Sequence, residues 1–117
     1  MVLLMNDSQF PWYILVPEVN GITEIFQLNR QQQHLLIEES SQLAMSLNEF
    51  YNPDKLNIAA IGNLVPQLHI HHVVRFQHDK AWPFPIWGKY STVPYAESEL
   101  ITLVEDLAEC LKLNSNI

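Results

Sequence analysis

The sequence predicts an α+β fold: an antiparallel sheet with two helices, its elements running β-β-α-β-β-α. Three observations carry this. Short aliphatic runs are separated by turn-forming residues. Two successive pairs of such runs are joined by links too short for a parallel crossover. Two longer stretches carry apolar residues at helical spacing, one mid-chain and one at the end.

Val2 to Met5 forms the opening apolar run, ended by Asn6-Asp7-Ser8, a turn-favouring cluster. Trp12 to Val16, bracketed by Pro11 and Pro17, pairs with it as a hairpin. The sheet thus begins almost at residue 1, so the N-terminal strand region reads as short, with a preceding strand missing or supplied elsewhere. Asn20-Gly21 marks a turn, and Ile22 to Leu28 fits no single template. Asn29 with Gln32 makes a capping box, in which each side chain satisfies a free backbone N–H of the helix start. Leu36, Leu43, Leu47 and Phe50 then share one helical face, until Asn52-Pro53-Asp54 stops the helix. Leu56 to Ile61 is the next strand, turning at Gly62-Asn63 into the fourth. Residues 77–88, rich in proline and aromatics, form an ordered loop, because proline can neither continue a helix nor donate within a sheet. Leu100, Leu103, Val104, Leu107 and Leu111 define the closing amphipathic helix, with Cys110 at the stripe's edge as an inert buried thiol.

The 117 residues make one domain, 1–117, able to bury about two-thirds of the surface of the unfolded chain. Hydrophobic content of 48% with 16% charged residues is that of a globular protein. A formal charge of −7, from six basic and thirteen acidic residues, argues against nucleic acid polymers as partners. Phosphate could then be held only locally, by backbone N–H groups, histidine and Arg75. The single cysteine excludes an internal disulfide, and no run approaches the ~18 apolar residues of a membrane span. Residues 1–5 lack a signal peptide's basic start, so a cytoplasmic address is expected.

Function is expected on the fourth strand. Gln67-Leu68-His69-Ile70-His71-His72-Val73-Val74 holds three of the five histidines. Alternation puts Gln67, His69, His71 and Val73 on one face and Leu68, Ile70, His72 and Val74 on the other. His69 and His71 stand about 6.6 Å apart along such a strand, near enough to act on one ligand. A polar row opposite an aliphatic one leaves three readings open: hydrogen-bonded core histidines, two ligands of a metal site, or a nucleophile with a phosphate-binding partner. His72 reads as structural, sheltered under a helix. His34 reads as solvated, and His78 as a loop hydrogen-bonding partner of Asp79.

The same residues resemble the histidine-triad (HIT) superfamily of nucleotide hydrolases and transferases, whose motif places histidines at alternate positions followed by hydrophobic residues. Gln67-Leu68-His69-Ile70-His71 carries the likeness, with Asn57 and Gly62-Asn63-Leu64-Val65-Pro66 upstream. Phe10-Pro11-Trp12 running into Ile14-Leu15-Val16-Pro17 is similar to the family's early strand. Asp79, Ala81, Trp82, Pro83, Trp87 and Gly88 are similar to a bacterial HIT-like branch. The resemblance covers most of residues 10–88. It implies a homodimer that cleaves a nucleoside phosphate ester, anhydride or phosphoramidate through a covalent nucleotidyl-histidine. By position His69 is then the nucleophile, His71 contacts phosphate oxygens, and Asn57 and Asn63 lie near the nucleotide. Gln67 takes the first triad place, where the family has histidine; it hydrogen-bonds but does not titrate. No cofactor and no catalytic metal are expected. The alternatives are a nucleotide-binding module of this fold without turnover, and a metal-binding protein using His69 and His71.

Overall fold

The computed structural model describes residues 1–115, with side chains to residue 111. Its elements are β1 (Val2–Leu4), β2 (Trp12–Leu15), a 3-10 turn (Ile25–Gln27), α1 (Arg30–Tyr51), β3 (Lys55–Ala59), β4 (Ile70–Arg75) and α2 (Glu97–Ser115). The strands form one antiparallel sheet in the order β1-β2-β4-β3. The expected α+β order therefore holds, and the ambiguous stretch 22–28 contains the 3-10 turn.

Residue parity sorts the sheet into two faces. Tyr13, Leu15, Ile70 and Val74 point to the helices, where they pack with Leu36, Leu43 and Leu47 of α1 and Leu107 of α2. Trp12 and Val73 point the other way, into a smaller cluster with Phe10, Ala81 and Ile86. Both central strands are thus covered on both sides, by helices on one and by the proline-aromatic loop on the other. Truncating a fully buried side chain such as Leu47 to Ala should cost about 2–5 kcal/mol.

The capping box at α1 is made as expected: Gln32 N donates to Asn29 Oδ1 (2.8 Å) and Asn29 N to Gln32 Oε1 (3.0 Å). Asn52 ends the helix in the left-handed region at φ 50°, which asparagine tolerates. The bounds of all four strands and the stripes of both helices differ from expectation. β1 and β2 each stop one residue early, and β3 ends at Ala59 instead of Ile61. β4 begins only at Ile70, so Gln67 and His69 belong to the loop that enters it. Proline at 66, which has no N–H to give a ladder, helps to keep this entry out of the sheet. Phe50 is exposed, its ring set edge-on against Tyr51, because the buried stripe of α1 continues through Ser46 instead. Val104 is also exposed, so α2 buries a narrower stripe centred on Leu107.

The covering loop is fastened at both ends by buried carboxylates. Asp79 accepts from Arg75 Nε (2.8 Å) and Nη2 (3.1 Å) and from the backbone N–H groups of Phe76, Ala81 and Trp82. Burial alone would raise its pKa; the hydrogen bonds and charge of Arg75 and the backbone donors hold it below the ordinary value instead. At the far end Asp7 accepts from Val93 N, and Asn6 Oδ1 accepts from Tyr95 N. No described helix is long and apolar enough to cross a membrane.

Candidate functional site

The site lies where the loop after β3 enters β4, on the face away from the helices. His69 stands just before the strand, and its Nδ1 is 2.7 Å from the backbone carbonyl of Gln67. A carbonyl only accepts, so this nitrogen carries the proton, and in the neutral ring Nε2 holds the lone pair. Among the described residues Nε2 has no protein partner. The His71 ring lies 4.8 Å away, centroid to centroid, at 74°.

His71 is arranged the opposite way. The indole Nε1 of Trp12 donates to His71 Nδ1 at 3.0 Å in a buried contact. The neutral ring must then carry its proton on Nε2. Trp87 packs edge-on against it, with centroids 5.7 Å apart, and meets Trp12 at 87°. Burial first, then the neighbouring His69 and His72, push the His71 pKa down to about 4. Trp87 Nε1 is itself buried without a hydrogen-bond partner among the described residues. What holds that ring is its packing on Trp12, Val73 and their neighbours.

His72 faces the helices. Its Nδ1–H donates to the Ile70 carbonyl (3.2 Å), and its Nε2 accepts the Ser40 hydroxyl of α1 (2.7 Å). Both ring nitrogens are engaged, and burial depresses its pKa, so it is a structural residue as expected.

The remaining candidates divide. Gln67 Nε2 donates to Val19 O (3.2 Å), pinning the loop before the 3-10 turn, and the residue supports His69 through its carbonyl. Asn63 is exposed in the entry loop, next to Gly62, whose φ of +70° suits glycine. Asn57 is half-buried and accepts from Arg75 Nη1 at 2.8 Å. Arg75, expected as a possible phosphate ligand, is nearly fully buried and occupied by Asp79 and Asn57, with Trp82 against its guanidinium. His78 does not pair with Asp79 but stacks on Phe76. His34 is exposed, and Cys110 is half-buried, its thiol directed at Ser46 O. Among the described residues no group of three His, Cys, Asp or Glu side chains could hold a metal ion.

Sequence reasoning missed Trp12 and Trp87 as parts of the site. The parity that puts Trp12 opposite Val73 was available once β2 and β4 were paired. Nothing in the sequence placed Trp87 over His71.

The HIT domain family model matches residues 1–78. A histidine triad protein from Marinobacter aquaeolei VT8 is 51% identical, with a TM-score of 0.92 over 96% of this chain and 82% of its own. One from Bradyrhizobium japonicum is 40% identical, with a TM-score of 0.90 over 94% and 82%. A histidine triad protein from Sinorhizobium meliloti 1021 is 39% identical, with a TM-score of 0.89 over 92% and 80%. No curated protein matches. A family match over two-thirds of the length, together with histidine triad structures 39–51% identical over nearly all of it, makes this chain a member of the histidine-triad (HIT) family.

Proposed function

We propose that the protein is a nucleotidyl hydrolase or transferase acting on a nucleoside phosphate ester, anhydride or phosphoramidate. One observation carries the reading: the Gln67 carbonyl takes the Nδ1 proton of His69 and leaves Nε2 a lone pair with no partner among the described residues. An imidazole so held is prepared for attack on phosphorus. In the first step the His69 Nε2–P bond forms and the bond from phosphorus to the leaving group breaks, the electron pair departing with that group. In the second, water or another acceptor attacks phosphorus, the N–P bond breaks, and the pair returns to Nε2. The acceptor's proton leaves to solvent or to the departing group.

In this reading His71, its proton on Nε2, donates to a phosphoryl oxygen, where charge builds in both steps. Asn63, from the exposed entry loop, and the amide of Asn57 are assigned to the nucleotide side of the site. Intact mass after incubation with nucleotide substrates tests this directly. A nucleotide-mass adduct is expected in the natural protein and none in His69→Ala; an adduct surviving that substitution would refute the mechanism.

A second reading is favoured by one residue. Gln67 cannot titrate, which suits a module that binds nucleotide without turning it over. Saturable nucleotide binding with neither adduct nor product would establish that reading. The assembly proposed is a twofold homodimer. β1 and β3 are both edge strands with open backbone groups, and Ile58 on β3 and Leu64 and Val65 in the loop that follows it are exposed apolar residues. Light scattering at micromolar concentration should give twice the chain mass; a monomer would sink the proposal.

A further inference from the structure

The hydrogen bond from Trp12 to His71 fixes more than a ring orientation. An indole N–H is only a donor. Directed at Nδ1 from 3.0 Å, it is compatible with a lone pair there and incompatible with a second proton, since two N–H groups would then face each other. We propose that Trp12 is a positioning residue that locks the proton of His71 on Nε2, making it a neutral hydrogen-bond donor to a phosphoryl oxygen at neutral pH and barring it from service there as an imidazolium acid. This rests on the reading of His71 as the phosphate partner of His69.

The surroundings agree with this assignment. What faces His71 from β2 is Trp12, from the covering loop Trp87, and across the β3 pair Ala59, none of them charged. The titratable groups acting on it are His69 and His72, each of which disfavours a further positive charge. The ring is buried and closed in by the two indoles. A substrate consequence follows. With His71 unable to release a proton as a cation, and Gln67 unable to titrate, neither of these two described residues supplies an acid to the leaving group on this face. Such a site favours leaving groups that depart as stable anions, as from phosphoric anhydrides and activated esters, over amines that must be protonated to leave.

The test uses the full chain with isotopically labelled histidine and the p-nitrophenyl ester of a nucleoside 5′-monophosphate as substrate. In the natural protein the nitrogen spectrum of His71 should show Nε2 protonated and Nδ1 bare, with protonation only near pH 4. In Trp12→Phe the two tautomers should mix, the titration should move toward the ordinary histidine range, and adduct formation should slow several-fold with its acid limb displaced upward. Replacing Trp12 by benzothienylalanine, which keeps the bicyclic shape and removes only the N–H, should give the same spectral change should the Phe variant fold poorly. A proton on Nδ1 in the natural protein overturns the proposal, as does an unchanged tautomer and titration in both variants. Absence of any adduct in the natural protein would instead overturn the assignment of His69, leaving the tautomer result to be judged by itself.

Discussion

His71 and His72 are adjacent, both buried, both held neutral by burial, and they have opposite uses. On the helix face, His72 gives its Nδ1 proton to a carbonyl and takes a serine hydroxyl on Nε2, so no ring atom remains for chemistry. On the loop face, His71 accepts at Nδ1 from an indole and keeps an Nε2–H that no described residue engages. His69 completes the set, with the tautomer of His72 but an Nε2 that no serine covers. The identity of the side chain says little here. What a histidine can do is decided by which nitrogen its neighbours engage, and in which sense.

The largest effects should fall on the two rings with a free nitrogen. His69→Ala should reduce single-turnover adduct formation by about a thousandfold or more, since it removes the proposed nucleophile. His71→Ala should slow it by about 10²–10³, the usual loss when one donor to a developing oxyanion is removed. Adduct mass and its rate of appearance separate the two. Equal, mild effects of both substitutions would erase the distinction drawn between them.

His72→Gln should fall on the other side of the comparison. It disturbs the bonds to Ser40 and Ile70 and should lower unfolding free energy by about 1–3 kcal/mol, the cost of an unsatisfied buried polar group. Adduct yield from the folded fraction should remain near that of the natural protein. Urea unfolding combined with trapping measures both. Loss of the adduct without loss of stability would place chemistry on the helix face.

The alternation that separates these faces was legible in the sequence, and so were the helix cap at Asn29, the stop at Asn52 and the β-β-α-β-β-α order. These are local matters: period-2 and period-3.6 patterns, and side chains that bond within three residues of themselves. The tautomers were not legible, because each depends on a partner brought from elsewhere in the chain, Trp12 for His71 and Ser40 for His72. The fate of Arg75 was hidden for the same reason. An arginine two residues beyond Val73 on the proposed face suggests a phosphate ligand until Asp79 and Asn57 are seen to close around it. The sequence also made the histidine strand too long, since Gln67-Leu68-His69 continue its alternation while lying in the loop that enters β4.

Acidification should act on both buried rings together. Their pKa values are lowered in the folded state, that of His71 to about 4, so below about pH 6.5 the unfolded chain binds protons that the folded chain refuses. Stability present above that pH should therefore fall as pH drops toward 4, by at most about 1.4 kcal/mol per unit for each ring. The contribution of Asp79, whose pKa is also depressed, should be lost only at lower pH, as its carboxylate protonates in the folded state. Unfolding midpoints between pH 7 and 4 check this. His71→Gln should flatten the upper part of the curve, and an unchanged slope would mean that the ring is not held neutral.

The smallest effect should come from Gln67→His, which restores the residue usual at the first triad position. If the side chain at 67 oriented the nucleophile, replacing it would alter the rate of attack. The bond that orients His69 comes instead from the Gln67 backbone carbonyl, which every residue at this position possesses. What the substitution removes is the amide's contact with Val19 O, worth about 1 kcal/mol of stability and replaceable by an imidazole N–H. Adduct formation should thus be preserved or raised, and the His69 ring should keep its proton on Nδ1 in the nitrogen spectrum. A large fall in rate with an unmoved tautomer would show that the glutamine amide itself touches the substrate. A rate that falls because the tautomer changes would show that the side chain, not the carbonyl, holds the nucleophile.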